Sequence, residues 1–227
     1  MPERWFNGER FREMQPFQTF ARTRKGSGAL RVRLKKLVGN PAEHSALEIG
    51  PGDAPLIHSL GFRHATFLEA SPALARQLEE KLQRGRGVFS VLVGDVREHE
   101  PQESYGVIVL LELLTHLRPS ERLQVVRKLA GATDRLMIVD RPRGSVDELA
   151  KKILRELKHQ NPEDPEQEIP ATPQNARRLA EEKLLEQVDF DPIREHLRSE
   201  GFTITKTRHE HGATYLVLTA SRQRTTR

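Results

Sequence analysis

Five short apolar runs, separated by stretches with helical punctuation, constrain this chain more than any other feature. They lie at Ser45 to Ile49, Ala65 to Leu68, Phe89 to Val93, Val107 to Leu111 and Leu136 to Val139. Runs this short suit strands of a parallel sheet with crossovers. Helix starts fall between them. Ser71 before Pro72, Pro119 with Ser120, and Asp191 before Pro192 each offer a capping oxygen or a preset φ. Gly131 and Gly201 follow helical stretches, where a left-handed terminal residue costs glycine least. The repeated strand-then-helix order predicts an α/β fold with a doubly wound, mostly parallel sheet.

The last part of the chain changes character. Phe202 to Arg208 and Ala213 to Ala220 alternate like paired strands around the turn-like His209 to Gly212, which predicts a C-terminal antiparallel hairpin and seven strands in all. About sixty residues separate the fifth strand from that hairpin, too many for a tight connection. Helical spacing at Leu149, Ile153 and Leu157, and again at Ala176, Ala180, Leu184 and Val188, predicts a helical insertion at about 145–190. Ser145 with Glu148 reads as a capping box for its first helix, and Asn161 to Pro170 as a solvated loop. The expected organisation is a basic arm and helix over 1–40, then one domain over 41–227.

Charge is unevenly distributed. The net charge is +5, yet residues 1–37 carry ten basic and three acidic side chains, and Arg222, Arg224 and Arg227 end the chain. Everything between is net acidic. A basic arm suits an anionic partner such as RNA, or serves solubility alone. Zero cysteines exclude disulfides, thiolate nucleophiles and Cys-type metal sites, and suit a reducing compartment, so a cytoplasmic location is expected. No run is apolar enough to span a membrane. Phe11, Met14, Phe17 and Phe20, with Trp5 and Phe6, form an apolar series in the arm that could pack on the domain or clasp a pocket.

The chemistry concentrates in Leu47 to Pro55, LEIGPGDAP, where the first strand runs into a turn. Gly50 and Gly52 let backbone approach a ligand closely, and Glu48 brings a carboxylate to that strand's end. Glu69 ends the second strand, 17 residues after Gly52, and Asp95 follows the third. An acid at the second strand can accept both hydroxyls of a ribose, and one at the third an exocyclic adenine amine. In doubly wound sheets ligands lie outside the carboxyl ends of the strands, where the winding reverses. The competing expectation is that these acids cap the helices after them.

In these segments the chain resembles the class I S-adenosylmethionine-dependent methyltransferases, over roughly 45–144 and the terminal hairpin. The resemblance implies that Glu48, Gly50 and Gly52 lie beside the methionine moiety of S-adenosylmethionine, that Glu69 holds the ribose, and that Asp95 and Val96 contact adenine. Tyr105 to Leu117 is similar to the family's fourth-strand segment, which puts Glu112 in a cofactor-binding position and makes His116 the candidate catalytic base. The third glycine of the family's first motif is Ala54 here, and the usual Asp opening the fourth strand is Gly106. An NAD-type dehydrogenase is the nearest competitor. Its third glycine would fall on Pro55, and neither Tyr105 nor Tyr215 has a lysine four residues on.

The acceptor is less legible. Without cysteine there is no covalent cytosine C5 methylation, and Leu111 to Leu114 is not the Asn/Asp-Pro-Pro-aromatic run of a familiar class of base-amine methyltransferases. Arg141 and Arg143, after the fifth strand, are candidate contacts for an anionic acceptor. His209 and His211, two apart, would share one face of a strand, but no third ligand is evident, so no metal is expected. The expected function is methyl transfer to an oxygen or nitrogen of a small or medium-sized acceptor. The alternatives are an RNA methyltransferase using the basic arm and a non-catalytic protein that binds S-adenosylmethionine.

Overall fold

The computed structural model describes residues 24–52, 55–83, 87–142, 144–159, 172–185, 187–211 and 213–222. The N-terminal arm before Arg24, residues 160–171 with the expected loop, and Arg143 therefore lie outside the described residues.

Seven strands form one sheet: β1 (Ser45–Ile49), β2 (His64–Glu69), β3 (Val88–Val93), β4 (Val107–Leu111), β5 (Arg135–Asp140), β6 (Thr203–His211) and β7 (Ala213–Ser221). Their spatial order is β3-β2-β1-β4-β5-β7-β6. The first five run parallel, and β7 pairs antiparallel with both β5 and β6. The winding reverses between β1 and β4, because β2 and β3 add on one side of β1 while β5 adds beyond β4. One expectation needs correction. The hairpin has no four-residue turn over 209–212, because β6 continues to His211, whose partner is Ala213. Strand pairing overrides the turn propensity of those residues.

Among the described residues there are six α-helices, α1 (Arg24–Val38), α2 (Pro72–Leu82), α3 (Pro119–Gly131), α4 (Val146–His159), α5 (Pro173–Leu185) and α6 (Asp191–Ser199), of which α1, α2, α3 and α6 pack on the sheet. Alternation along the strands divides the core into two faces. Leu47, Ile49, Ile108, Leu110, Leu136 and Ile138 share one face with α3 and α6. Ala46, Val107, Val109, Met137 and Val139 share the other with α1 and α2. The ends of α2 follow the local chemistry: the Ser71 hydroxyl accepts from the Leu74 amide, and Pro72 takes the first turn. α4 and α5 form the helical insertion after β5, with a small core of their own built on Ile153, Leu157, Ala176 and Ala180.

Gly106 now has a physical reason. A Cβ there would meet the His44 Cβ at 2.6 Å and the Ser45 carbonyl oxygen at 3.0 Å, so no side chain fits where β4 starts beside β1. Among the described residues no helix is long and apolar enough to cross a membrane.

Candidate active site at the carboxyl edge of the sheet

The loops after β1 and β4 meet at the reversal point. Gly50 and Gly52 have φ of 68° and 56°, values that favour glycine, and a Cβ on Gly50 would lie 3.6 Å from Leu113. The Gly50 amide donates to the Leu68 carbonyl at 2.9 Å, which fixes the turn against the end of β2. Glu69, the last residue of β2, finishes the construction. Its Oε2 accepts from the Gly52 amide at 3.0 Å and its Oε1 from the Ser71 amide at 2.9 Å. One carboxylate thus joins the glycine turn, the end of β2 and the start of α2. The loop-holding role leaves each oxygen a second lone pair.

Glu48 is fully buried, and both its oxygens are taken by protein amides: Oε1 by Leu56 at 2.8 Å and Oε2 by Ile57 at 2.9 Å. Burial pushes its carboxyl up to about 7, against the opposing pull of those two amides and the Arg31 charge. Glu48 therefore holds the segment after the glycine turn.

Asp140 does the same for the other loop, a role the sequence did not disclose. It ends β5, fully buried, with Oδ2 accepting from Leu114 at 2.7 Å and Thr115 at 3.2 Å, and Oδ1 from Arg141 at 2.8 Å. Burial raises its carboxyl to about 6, the three amides lower it and the neighbouring Glu112 charge raises it. The signal was its place at a strand end before DRPRG; what hid it was that its partners come from a different loop, about 25 residues earlier.

Glu112 directly follows β4 with φ of 51°, the sole non-glycine residue in the left-handed region among the described residues. Its amide donates to the Val139 carbonyl at 2.6 Å, so the strained residue is pinned to β5. Strain of this kind concentrates at functional sites. His116 ends the short 3-10 turn Leu114–His116 that Asp140 clamps. Burial lowers its imidazole to about 4, helped by the Arg141 and Arg122 charges. Arg122 is itself buried, donating to the Leu117 carbonyl at 3.0 Å and the Gln187 carbonyl at 2.5 Å. Arg141 is exposed and its carbonyl accepts from the Val188 amide, which anchors the exit of the helical insertion beside His116.

Asp95 and Val96 lie just beyond β3. Val96 is buried in the same core as Leu68. Burial raises the Asp95 carboxyl, but hydrogen bonds and charge from Arg97 outweigh it and hold the group below its ordinary value. Arg97 grips both oxygens, with Nη2 2.5 Å from Oδ2, and reaches Glu121 at 3.5 Å. Any adenine contact at Asp95 must share that carboxylate with Arg97. The carboxyl edge thus gathers Glu48, Gly50, Gly52, Glu69, Asp95, Val96, Glu112, His116 and Arg141.

A cleft of about 740 Å³ opens on the opposite edge, lined by Glu43, His44, Tyr105, Gly106 and Arg135 among others. It lies at the amino ends of the parallel strands, away from the glycine turn. Its charged groups have protein partners, as in Arg135 to the Gly106 carbonyl and Arg222 to Asp134 at 2.9 Å. Among the described residues no group of His, Cys, Asp and Glu is disposed to hold a metal ion.

The sequence matches no protein-family model and no curated protein. Solved structures do match. Magnesium protoporphyrin IX methyltransferase from Synechocystis PCC 6803, with bound S-adenosylhomocysteine, is 18% identical with a TM-score of 0.64 over 88% of this chain and 83% of that one. The N-methyltransferase NodS from Bradyrhizobium japonicum, also with S-adenosylhomocysteine, is 12% identical with a TM-score of 0.58 over 95% and 96%. A candidate RNA methyltransferase from Pyrococcus horikoshii is 16% identical with a TM-score of 0.57 over 97% and 96%. The chain therefore has the seven-stranded fold of the S-adenosylmethionine-dependent methyltransferases.

Proposed function

We propose that this chain is a methyltransferase that uses S-adenosylmethionine and acts on an oxygen or nitrogen nucleophile of a small or medium-sized acceptor. The observation that carries the proposal is the hydrogen bond from the Gly52 amide to Glu69, which ties a strand-end carboxylate to a glycine turn at the point where the sheet reverses. A fold shared with many activities does not choose one, so the weight rests on that site. The residues present fit the group. Glu69 has lone pairs left for ribose hydroxyls, Gly50 and Gly52 keep the turn free of side chains, and Asp95 and Val96 stand beyond β3 for the adenine.

The sulfonium supplies an electrophilic methyl group with a neutral leaving group, so positioning does most of the work, worth roughly 7–11 kcal/mol when reactants are well oriented. Glu48 and Asp140 act as positioning residues. Each holds one loop of the crevice by accepting its amides. Glu112 presents its carboxylate from a pinned, strained backbone. His116 takes the acceptor's proton. An imidazole titrating near 4 stays unprotonated at neutral pH, and although it is a weak base it suffices for an O–H acceptor, because the oxygen becomes strongly acidic as its bond to carbon forms. Arg141 contributes positive charge at the acceptor side, and Arg143 joins it if the acceptor is anionic.

The buried histidine also predicts a pH signature. Its conjugate acid is depressed on folding, so the unfolded chain binds the proton more tightly between about pH 6.5 and 4, and stability falls as pH drops through that window. The full effect is on the order of 3 kcal/mol. Glu48 and Asp140, both raised, run in the opposite sense, so the informative quantity is the difference between wild type and His116→Gln. Urea melts at pH 7 and pH 4.5 should show wild type losing stability relative to the variant on acidification. A constant difference excludes a buried neutral His116.

Methyl-tritiated S-adenosylmethionine, incubated with the protein and a cell extract split into small-molecule, RNA and protein fractions, tests the activity. Label should enter the small-molecule fraction in proportion to enzyme. No incorporation in any fraction would leave a binding protein without turnover.

A further inference from the structure

Charge on the helices is distributed in two different ways. α2 to α6 all mix acids with bases, as in the Arg177–Glu181 pair of α5, the usual arrangement for a solvated helix. α1 does not. Its fifteen residues include Arg24, Lys25, Arg31, Arg33, Lys35 and Lys36 and no acid. Leu30, Leu34 and Val38 turn its apolar side into the core with the half-buried Arg31 beside them, which leaves Arg33, Lys35 and Lys36 around the exposed Val32 on the outer arc. Among the described residues none of these four makes an ion pair within 4 Å, and the Arg31 Nε is buried with no hydrogen-bond partner. Like charges four apart, as at Arg31 and Lys35, cost a few tenths of a kcal/mol, which the favourable place of Lys35 and Lys36 in the last turn of the helix partly offsets.

The direction of α1 gives the patch a destination. Leu37 lies near Ser45 and Gly106, at the amino ends of β1 and β4. Arg31, six residues earlier, acts electrostatically on Glu48 near the carboxyl end of β1. α1 therefore runs antiparallel to β1, and its first turn sits at the edge that carries the glycine turn. A polyanion lying along this helix is led toward the crevice between β1 and β4.

We propose that the outer arc of α1, through Arg33, Lys35 and Lys36, binds the sugar–phosphate backbone of single-stranded RNA and delivers it to the carboxyl edge of the sheet. A membrane surface is a poor match, because the apolar side of α1 is already spent on the core. RNA suits a patch of regularly spaced cations without acids, where each neutralised phosphate releases counterions. The delivery half of the proposal rests on the methyl-transfer reading, and it would make RNA an acceptor in addition to a small molecule.

Fluorescence polarisation with a labelled twenty-nucleotide single-stranded RNA of mixed sequence, on the full chain at 50 to 300 mM KCl, tests it. Lys35 and Lys36 are exposed and serve no crevice group, so Lys35→Glu with Lys36→Glu should lower the melting temperature by no more than a few degrees, through the helix dipole, and leave S-adenosylhomocysteine binding unchanged. The double variant should bind RNA at least about tenfold more weakly at 50 mM KCl. Its plot of log affinity against log salt should flatten by about 1.4, for two lost phosphate contacts on a single strand. Unchanged RNA affinity in the variant overturns the proposal. Displacement of RNA by polyglutamate at equal charge concentration also overturns it and points to an acidic protein surface. If S-adenosylhomocysteine fails to bind while RNA affinity still depends on Lys35 and Lys36, the RNA surface stands and the methyl-transfer reading falls.

Discussion

Glu69→Gln should weaken S-adenosylhomocysteine binding by on the order of a hundredfold while the protein still folds. The substitution keeps the size of the side chain and one acceptor oxygen but removes the charge that two ribose hydroxyls would meet. Hydrogen bonds to a charged group contribute about 1.5–3 kcal/mol each, and a factor of ten costs 1.4 kcal/mol, so two weakened bonds exceed two decades unless water replaces them. Some stability goes as well. The Gly52 and Ser71 amides both donate to this carboxylate, and an amide side chain leaves one of them facing an NH2 group. That loss should stay near 1–2 kcal/mol, a shift of about 2–8 °C for a chain of this size. Calorimetry with S-adenosylhomocysteine and a thermal melt read the two effects separately. A melt that shifts while affinity holds would assign Glu69 to the loop alone.

Asp140→Ala should produce the largest loss of stability. Three amides, those of Leu114, Thr115 and Arg141, would lose their acceptor inside a fully buried site. A buried donor left without a partner costs about 1–3 kcal/mol, so the three together cost about 3–9 kcal/mol if no water enters. The site should fail with the fold, because the same carboxylate sets the turn that presents His116. Asp140→Asn keeps an oxygen for two of the amides and should fall between the alanine variant and wild type. Urea denaturation at pH 7.5 measures both variants. An alanine variant within 1 kcal/mol of wild type would mean that Asp140 does not clamp that turn.

Much of this was legible in the chain itself, and the reason is physical. A strand buried on both faces is a mainly apolar run, so β1 and β4 are read to the residue and β2 and β5 to within one residue at each end, while β3, an edge strand with Val88 and Val93 exposed, is found by its β-branched residues and gains one residue. Ser71 and Pro72 mark the start of α2 because capping chemistry is local. What escaped depends on groups distant in sequence. Glu48, Glu69 and Asp140 all sit at carboxyl ends of parallel strands, where sequence cannot separate an acid that meets a ligand from one that meets a loop amide. Asp95 was readable as an acid after β3, but its grip by Arg97 depends on a rotamer. Gly106 looked like a departure from a family pattern until the His44 side chain and the Ser45 carbonyl beside it showed that no side chain could stand there. The run of β6 through His211 was hidden because pairing with β7 outweighs local turn preference.

The most direct test of the account is isothermal calorimetry of the purified chain against S-adenosylhomocysteine and, separately, NAD. S-adenosylhomocysteine should bind saturably with one site per chain, and NAD should give only the heat of dilution at the same concentrations. Saturable NAD binding, with no heat from S-adenosylhomocysteine at millimolar ligand, would contradict the assignment of the glycine turn and Glu69 to a methyl-donor site.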